Sequence, residues 1–462
     1  MSGAIAETAP ERGRLPAGLE TFDIGHAEYG ALIGADSAFW ALVRHDELAA
    51  ELAAGKLERD WRDKAADFTR EMEALRFHLT PSAVYVNPTE RCNLDCGYCY
   101  IPRDMRRSGE HMSAPRLMAA MARLAGYFRR TMPENRKPQI IFHGAEPMLN
   151  RDAMFQVIDA YGDQFRFGVQ TNATLLDDSA VAFLTSRGCG IGLSLDAPVP
   201  EVADRSRRRW NGDGVFGATV AAIERLRGYA GFNVICTMNR ENLGQLTAMV
   251  EFLHARDVPA CMLNVVRCTQ PGGRAAWAED GEVARAYLAA LDRSHQLYRE
   301  SGRKLVVANF ANILIAILAP TARRLMCDIS PCGGGRSFFA LAPDGAMYPC
   351  SEFIGLPAFA GGNLFEDSVE AVLNSQAFRR VTGRKVEDIA PCSTCPVRHF
   401  CGAPCPAEAV EAKGAMDRTG AYCDFYREQA RYAFRLIADG VADDYLWDRW
   451  DDGTETTFAY PG

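Results

Sequence analysis

Three cysteines fall within eight residues of this chain, Cys92-Asn93-Leu94-Asp95-Cys96-Gly97-Tyr98-Cys99. Eight more lie between Cys327 and Cys423. Thiolates are the soft-metal ligands among side chains, so both groups point to metal chemistry. A closed iron–sulfur or structural zinc site takes four ligands. Three cysteines packed this tightly, with no fourth nearby, suggest a cluster with one iron open, and binding a substrate or cofactor requires an open position. The alternative is a zinc ion completed by a distant residue. The C-terminal set runs Cys327-x4-Cys332, then Cys350, then Cys392-x2-Cys395-x5-Cys401-x3-Cys405-x17-Cys423. Eight thiolates make two four-cysteine sites, and paired C-x2-C spacing serves zinc equally well. The other four cysteines, Cys189, Cys236, Cys261 and Cys268, stand among apolar neighbours and read as small buried hydrophobes.

The composition supports metal over disulfides. The chain has 462 residues, 48% of them hydrophobic and 24% charged. That excludes a disordered chain, a collagen and a small disulfide-stapled module. Lys plus Arg is 51 against 59 Asp plus Glu, a net charge of −8, which is wrong for a binder of nucleic-acid backbone. No apolar run reaches the roughly 18 residues of a transmembrane helix. The first residues lack a basic start followed by an apolar run, so no secretory signal is read there. The expectation is a cytoplasmic protein with reduced thiols and no membrane or nucleic-acid partner.

The elements that must position these residues alternate. Strand-length apolar runs occur at Ala83–Asn87, Gln139–Phe142, Phe165–Val169, Gly190–Leu195, Asn233–Thr237 and Cys261–Val266. Helical patterns separate them, the clearest carrying Leu117, Met121, Leu124 and Phe128 on one face. Six such units imply a parallel sheet with right-handed crossovers, either doubly wound or a partial barrel, with ligands at the C-terminal strand ends. Residues 20–80 read as mostly helical, from Phe39, Leu42 and Val43, then Leu48 and Leu52, then Phe68, Met72, Leu75 and Phe77. Further helices are expected at 281–300 and 424–440. After Cys327 glycine and proline become frequent, as in a loop-rich fold held by metal. The expected division is 1–80 mainly helical, 81–310 the six-unit α/β part, 311–430 the cysteine-rich part, and 431–462 a helix and tail.

The first triplet, immediately after the first strand, resembles the signature of the radical S-adenosylmethionine (SAM) enzymes, C-x3-C-x-aromatic-C, with Tyr98 as the aromatic. After the second strand, His143-Gly144-Ala145-Glu146-Pro147-Met148 is similar to the family's Gly-Gly-Glu-Pro motif, with Ala145 replacing a glycine. Gln170-Thr171-Asn172 follows the third strand, and Ser194 and Asp196 resemble the family's polar pair at the fourth. Arg207 falls where related enzymes carry a cofactor-side arginine. The resemblance implies a partial (β/α)6 barrel. It also implies that Cys92, Cys96 and Cys99 hold a [4Fe–4S] cluster whose open iron chelates SAM. Tyr98, Gly144, Ala145, Glu146, Pro147, Gln170, Asn172, Ser194, Asp196 and Arg207 would line the cofactor. The reduced cluster would cleave SAM to methionine and a 5′-deoxyadenosyl radical that abstracts a substrate hydrogen.

The C-terminal cysteines resemble the SPASM extension of that family, which carries two auxiliary [4Fe–4S] clusters, for a total of three. By position, Cys327, Cys332, Cys350 and Cys405 would hold the first, and Cys392, Cys395, Cys401 and Cys423 the second. Cys327 is the position that varies in the family; without it, a substrate thiolate would have an open iron to occupy. Family members with this extension mostly modify peptides or proteins. Sulfatase-maturating members carry an Asp directly after the cysteine of Tyr348-Pro349-Cys350; here Ser351 stands there and Glu352 follows as the candidate base. The surrounding stretches look like those of maturases of Cys-rich ribosomally made peptides, with a thioether the favoured product over a carbon–carbon crosslink. The implied partners are a precursor peptide and a flavodoxin or ferredoxin-type reductant. Many such maturases carry an N-terminal leader-binding winged-helix module with a three-stranded sheet. No such pattern is read in 20–80, so a separate leader-binding protein, or another surface, is expected. The basic run Arg205–Arg209 reads as a solvated loop.

Overall fold

The computed structural model describes residues 15–322, 327, 330–401 and 405–451. The first fourteen residues and the tail from 452 lie outside them. Three strands come first: β1 (Leu19–Phe22), β2 (Tyr29–Gly34) and β3 (Phe39–Arg44). They form a separate antiparallel sheet, with Leu19 opposite Gly34 and Gly34 opposite Phe39. This corrects the helical reading of 20–44. Phe39, Leu42 and Val43 match a helical i, i+3, i+4 pattern by coincidence. Both faces of β3 are covered, so no period-2 alternation shows: Phe39 packs on Trp61 and Phe68, and Trp40 on Phe434. Helices begin only at Leu48–Ala53 and Lys56–Phe77.

The main sheet has ten strands. Its body is β4 (Ala83–Val86), β5 (Gln139–Phe142), β6 (Arg166–Thr171), β7 (Gly190–Ser194), β8 (Phe232–Met238) and β9 (Ala260–Val265), side by side in chain order and all parallel. Each expected strand is present, with ends shifted by no more than two residues. Helices cross between them, and Leu117, Met121, Leu124 and Phe128 of Ala114–Thr131 are all buried against the sheet. Such crossovers are what parallel neighbours require. Alternate strand residues Ile141, Gly168, Gln170, Gly192 and Asn233 line the opposite face, around a cavity of about 1120 Å³. This is the partial (β/α)6 barrel.

A short β10 (Val306–Val307) extends the sheet beside β9. At the other edge β11 (Phe338–Leu341) pairs parallel to β4, with Phe338 opposite Ala83. Then β12 (Ala346–Tyr348) and β13 (Gly362–Asn363) continue antiparallel. The cysteine-rich segment therefore shares a sheet with the barrel, and the turn between β11 and β12 lies at the end of β4 where the first triplet begins, Leu341 standing opposite Val86. The helix Ala308–Leu318 is absent from the expected elements because it is buried along nearly its whole length and shows no polar face. The helices expected near 281–300 and 424–440 are Asp280–Ser301 and Cys423–Ala438. Among the described residues, no helix is long and apolar enough to cross a membrane.

Candidate active site

Cys92, Cys96 and Cys99 sit in the loop after β4, at the C-terminal end of the barrel. The loop is held from several sides. Asp95 donates its amide to the Arg208 carbonyl at 2.8 Å and Gly97 to that of Ser206 at 3.0 Å. The Trp210 indole donates to the Cys92 carbonyl at 2.8 Å. Arg106, 5% exposed, donates to the carbonyls of Leu94 and Ile101 at 3.2 and 3.1 Å. The segment 205–210 is thus a brace for the triplet rather than a solvated loop: Arg205 pairs with Glu241, Arg207 turns inward, and Arg208 and Arg209 bridge to Gly214 and Leu94. Gly272 and Gly273 close the far side. A Cβ at Gly272 would strike the Gly97 carbonyl oxygen, and one at Gly273 that of Arg267. Neither glycine nor Trp210 stands out in the sequence, since backbone contacts across 100 or more residues leave no local pattern, and Arg106 is marked only by its burial.

The residues expected around the cofactor gather into two nodes. At the first, the Asp196 carboxylate is 1% exposed and accepts from the Tyr98 hydroxyl at 2.5 Å, Arg207 Nε at 2.8 Å and the Thr237 amide at 2.9 Å. The Arg207 guanidinium lies 5.6 Å from the Tyr98 ring centre. At the second, Glu146 is wholly buried. Its oxygens accept from Thr171 Oγ1 at 2.6 Å and from the amides of Met148 and Asn172 at 3.0 and 2.8 Å. Burial lifts this carboxyl to about 7 against those three donors. Glu146 therefore ties the end of β5 to the end of β6 and caps the turn that Pro147 starts. Gly144, at φ +107°, lies so close to Asn87 that a side chain has no room. Asn172 bonds Asn93 at 2.8 Å and reaches Cys92 Sγ at 3.8 Å, linking the second node to the triplet. Ser194 and Ala145 are half-buried at the ends of β7 and β5, and Gln170 faces the barrel cavity.

The C-terminal cysteines divide by proximity. Cys350 interacts electrostatically with Cys327 and Cys332, and Cys405 with Cys332. Cys392 interacts with Cys395 and Cys423. Cys327 is exposed, whereas Cys332, Cys350 and Cys405 are half-buried.

Two family models match the chain: "Radical SAM superfamily" over residues 86–253 and the SPASM "Iron-sulfur cluster-binding domain" over 332–396. The chain belongs to the radical SAM superfamily. It is 40% identical over 405 residues, 88% of its length, to a functionally uncharacterized protein of Archaeoglobus fulgidus, covering 91% of that protein. It is 26% identical to the PqqA peptide cyclase of Bradyrhizobium diazoefficiens (81% of this chain, 94% of that one). It is 22% identical to a cysteine-type anaerobic sulfatase-maturating enzyme of Clostridium perfringens (78% and 98%). Among solved structures, native anSMEcpe with bound AdoMet and Cp18Cys peptide shares the fold, with TM-score 0.67 at 19% identity over 79% of this chain and 99% of that one. As a radical SAM/SPASM protein, the chain is an enzyme of the peptide or sulfatase maturase group, with SAM-binding and iron–sulfur domains.

The donor set fits that chemistry. All three triplet thiols are raised, chiefly by burial, Cys96 to about 11, as befits apolar thiols that a bound metal would deprotonate. Among the described residues, no three metal-binding side chains come close enough to hold a single ion. Buried polar atoms without a hydrogen-bond partner mark the space beside the triplet: Asn87 Oδ1, Tyr100 OH, His143 Nδ1, Ser351 Oγ and Glu352 Oε2. Tyr100 stacks on His143 at 6.4 Å, and Tyr85 meets His143 edge-on at 5.4 Å. Burial lowers His143 to about 4, so the ring is neutral, and raises Glu352 to about 7, with Arg267 opposing. Tyr100 and His143 were not singled out in the sequence. Their positions, one residue past Cys99 and one before Gly144, were the available signal.

Proposed function

We propose that the chain is a maturase of a ribosomally made precursor peptide, joining a cysteine sulfur to a carbon of another residue with net loss of two hydrogens. It would work with three [4Fe–4S] clusters and a flavodoxin or ferredoxin-type reductant. When bound, SAM and the triplet's cluster supply the 5′-deoxyadenosyl radical. The chain's own residues do the rest. The Asp196 node holds Tyr98 and Arg207, the Glu146 node fixes the backbone of 143–147 that faces the cofactor, and Cys92, Cys96 and Cys99 ligate. Cys327, Cys332, Cys350 and Cys405 ligate the first auxiliary cluster, and Cys392, Cys395, Cys401 and Cys423 the second. The observation carrying the thioether is the exposure of Cys327 beside its three half-buried partners: its position is the one a substrate thiolate can reach and replace. The sheet β1–β3 supplies three strands, but its helices, Leu48–Ala53 and Lys56–Phe77, all follow it, so leader recognition stays with a separate protein or another surface.

Sulfatase maturation is the second reading, favoured by the 98% coverage of the Clostridium enzyme and opposed by Ser351 at the family's base position. The test is anaerobic reconstitution with SAM, reductant and a Cys-containing precursor peptide encoded beside the gene, followed by mass spectrometry. The expected product has lost two hydrogens and one alkylatable cysteine. The same loss with every cysteine still alkylatable means a carbon–carbon link. Conversion of a cysteine to an aldehyde in a sulfatase-type peptide supports the second reading.

Glu352 is the proposed base for the substrate proton, because its Oε2 is buried without a partner beside Cys99 and Cys350. Glu352→Gln is expected to slow product formation by about 10²–10⁴-fold, the usual worth of a general base. Formation of 5′-deoxyadenosine should persist in that variant. Equal loss of both rates would instead make Glu352 part of the cofactor site.

A further inference from the structure

The C-terminal part buries more guanidinium charge than carboxylates answer. Arg76, at the end of Lys56–Phe77, is 6% exposed and makes a two-pronged pair with Glu387 at 2.8 and 2.7 Å. Arg336 is also 6% exposed. Its donors go only to backbone carbonyls: Ser330 at 3.4 Å, Thr382 at 2.5 Å and Arg384 at 2.8 Å. Its plane lies 5.4 Å from the Phe77 ring centre, and Arg76 lies over the same ring at 4.7 Å. Arg76 Nε also donates to the Ser330 carbonyl, at 3.3 Å, so two guanidinium groups converge on one oxygen. Among the described residues, no carboxylate comes within ion-pairing distance of Arg336.

Taking an unpaired ion out of water costs several kcal/mol after relaxation, so a group of the opposite sign is called for. Cys332 is that group. It lies four residues earlier on the same Gly333-Gly334-Gly335 loop, which folds back so that the Gly334 amide donates to Cys332 Sγ at 3.3 Å and the Arg336 amide to the Gly333 carbonyl at 3.0 Å. Burial lowers Arg336 to about 10; Cys332 first, and less strongly Glu387, which is already paired with Arg76, oppose that shift, and Arg76 and Arg384 add to it. Arg384 itself lies within electrostatic reach of Cys332, Cys405 and Cys392, thiols of both proposed auxiliary sets.

We infer that Arg336 is the fixed counter-charge of the first auxiliary site, a positioning residue that raises the reduction potential of the cluster ligated by Cys332. The inference rests on the cluster assignment proposed above. Four thiolates outweigh the positive charge of an iron–sulfur core, and reduction adds one more negative charge. A buried guanidinium within electrostatic reach favours the more negative form, because attraction is strong where water is excluded. Net charge, hydrogen bonding and exposure are the protein's handles on such potentials. An acceptor for substrate electrons needs a raised potential, whereas a cluster that cleaves SAM needs a low one. Among the described residues, no Arg336-like group, buried and bonded only to carbonyls, lies beside the first triplet: there Arg207 is matched by Asp196, and Arg106 by Asp95.

The test is an EPR-monitored redox titration of the reconstituted full-length chain carrying Cys92→Ala, Cys96→Ala and Cys99→Ala, so that only auxiliary clusters report. Arg336→Gln is expected to lower the reduced-to-oxidised ratio at fixed potential about tenfold, a midpoint shift of about 59 mV for one electron. Arg336→Lys, which keeps the charge, should restore most of it. An unchanged midpoint in Arg336→Gln, with iron content intact, overturns the inference while leaving the clusters in place. If Arg336→Gln fails to load iron, the lysine variant decides: loading at a near-native midpoint supports the counter-charge, and failure of both makes Arg336 a loop-holding residue and overturns it. A triple-alanine parent without iron sinks the cluster assignment and the inference together.

Discussion

Replacing Cys96 by alanine is expected to bring reductive cleavage of SAM to background and to remove one cluster's worth of iron. Cys96 is the middle ligand of the triplet, and Cys236, a core cysteine of the barrel, is wholly buried with its Sγ donating to the Asp196 carbonyl at 3.5 Å. Two remaining ligands cannot hold a cluster that needs three and leaves one iron open. The loss should therefore exceed the about 10–100-fold that follows removal of an outer hydrogen-bond partner of a metal ligand. Cys189→Ala is the matched control. That thiol is 1% exposed in the core, far in sequence from the triplet, and its removal should leave cleavage intact. Anaerobic iron analysis and chromatography of 5′-deoxyadenosine measure both. Cleavage that survives in Cys96→Ala removes the triplet from the chemistry.

How much of this was legible in the sequence depends on how local the signal is. The six strands announce themselves as short apolar runs of strand length, and the helix Ala114–Thr131 because a single face is buried and the period survives in the residues. The triplet is legible because a tight metal loop packs its ligands within eight positions. By contrast β3 was taken for helix because Trp40 and Phe39 are both packed, on opposite faces, which erases alternation. The helix Ala308–Leu318 was missed for the same reason. At the site, motif residues identified Asp196 and Glu146 but not their bonding. Both carboxylates are engaged by protein donors, so each acts by holding neighbours. The bracing by Trp210 and Gly272 joins segments far apart in the chain, and no window of sequence contains both partners. Arg336 was invisible for another reason: only burial distinguishes it from the surface arginines around it.

The second large effect should come from Asp196→Asn, a change that alters no shape. Among the described residues, the aspartate is the only carboxylate ion-paired with Arg207, whose side chain is 12% exposed. Asparagine keeps an oxygen for the Thr237 amide but removes the charge that Arg207 and the Tyr98 hydroxyl share. Breaking a buried pair from one side costs about 3–5 kcal/mol, because the surviving charge stays buried without its partner. That is a large part of the 5–15 kcal/mol typical of a whole domain. Tyr98→Phe gives the comparison that separates causes. It deletes one hydrogen bond, worth about 1.5–3 kcal/mol to a charged acceptor, and leaves Asp196 and Arg207 paired. The expected order is thus a small drop in thermal midpoint for Tyr98→Phe and a larger one for Asp196→Asn. Poorer iron loading should follow in Asp196→Asn, since Arg207 continues directly into the 208–210 brace that holds Asp95 and the Cys92 carbonyl. Scanning calorimetry and iron content together check this. Equal midpoints for the two variants would mean that the charge pair with Arg207 contributes nothing beyond the Tyr98 hydrogen bond to Asp196.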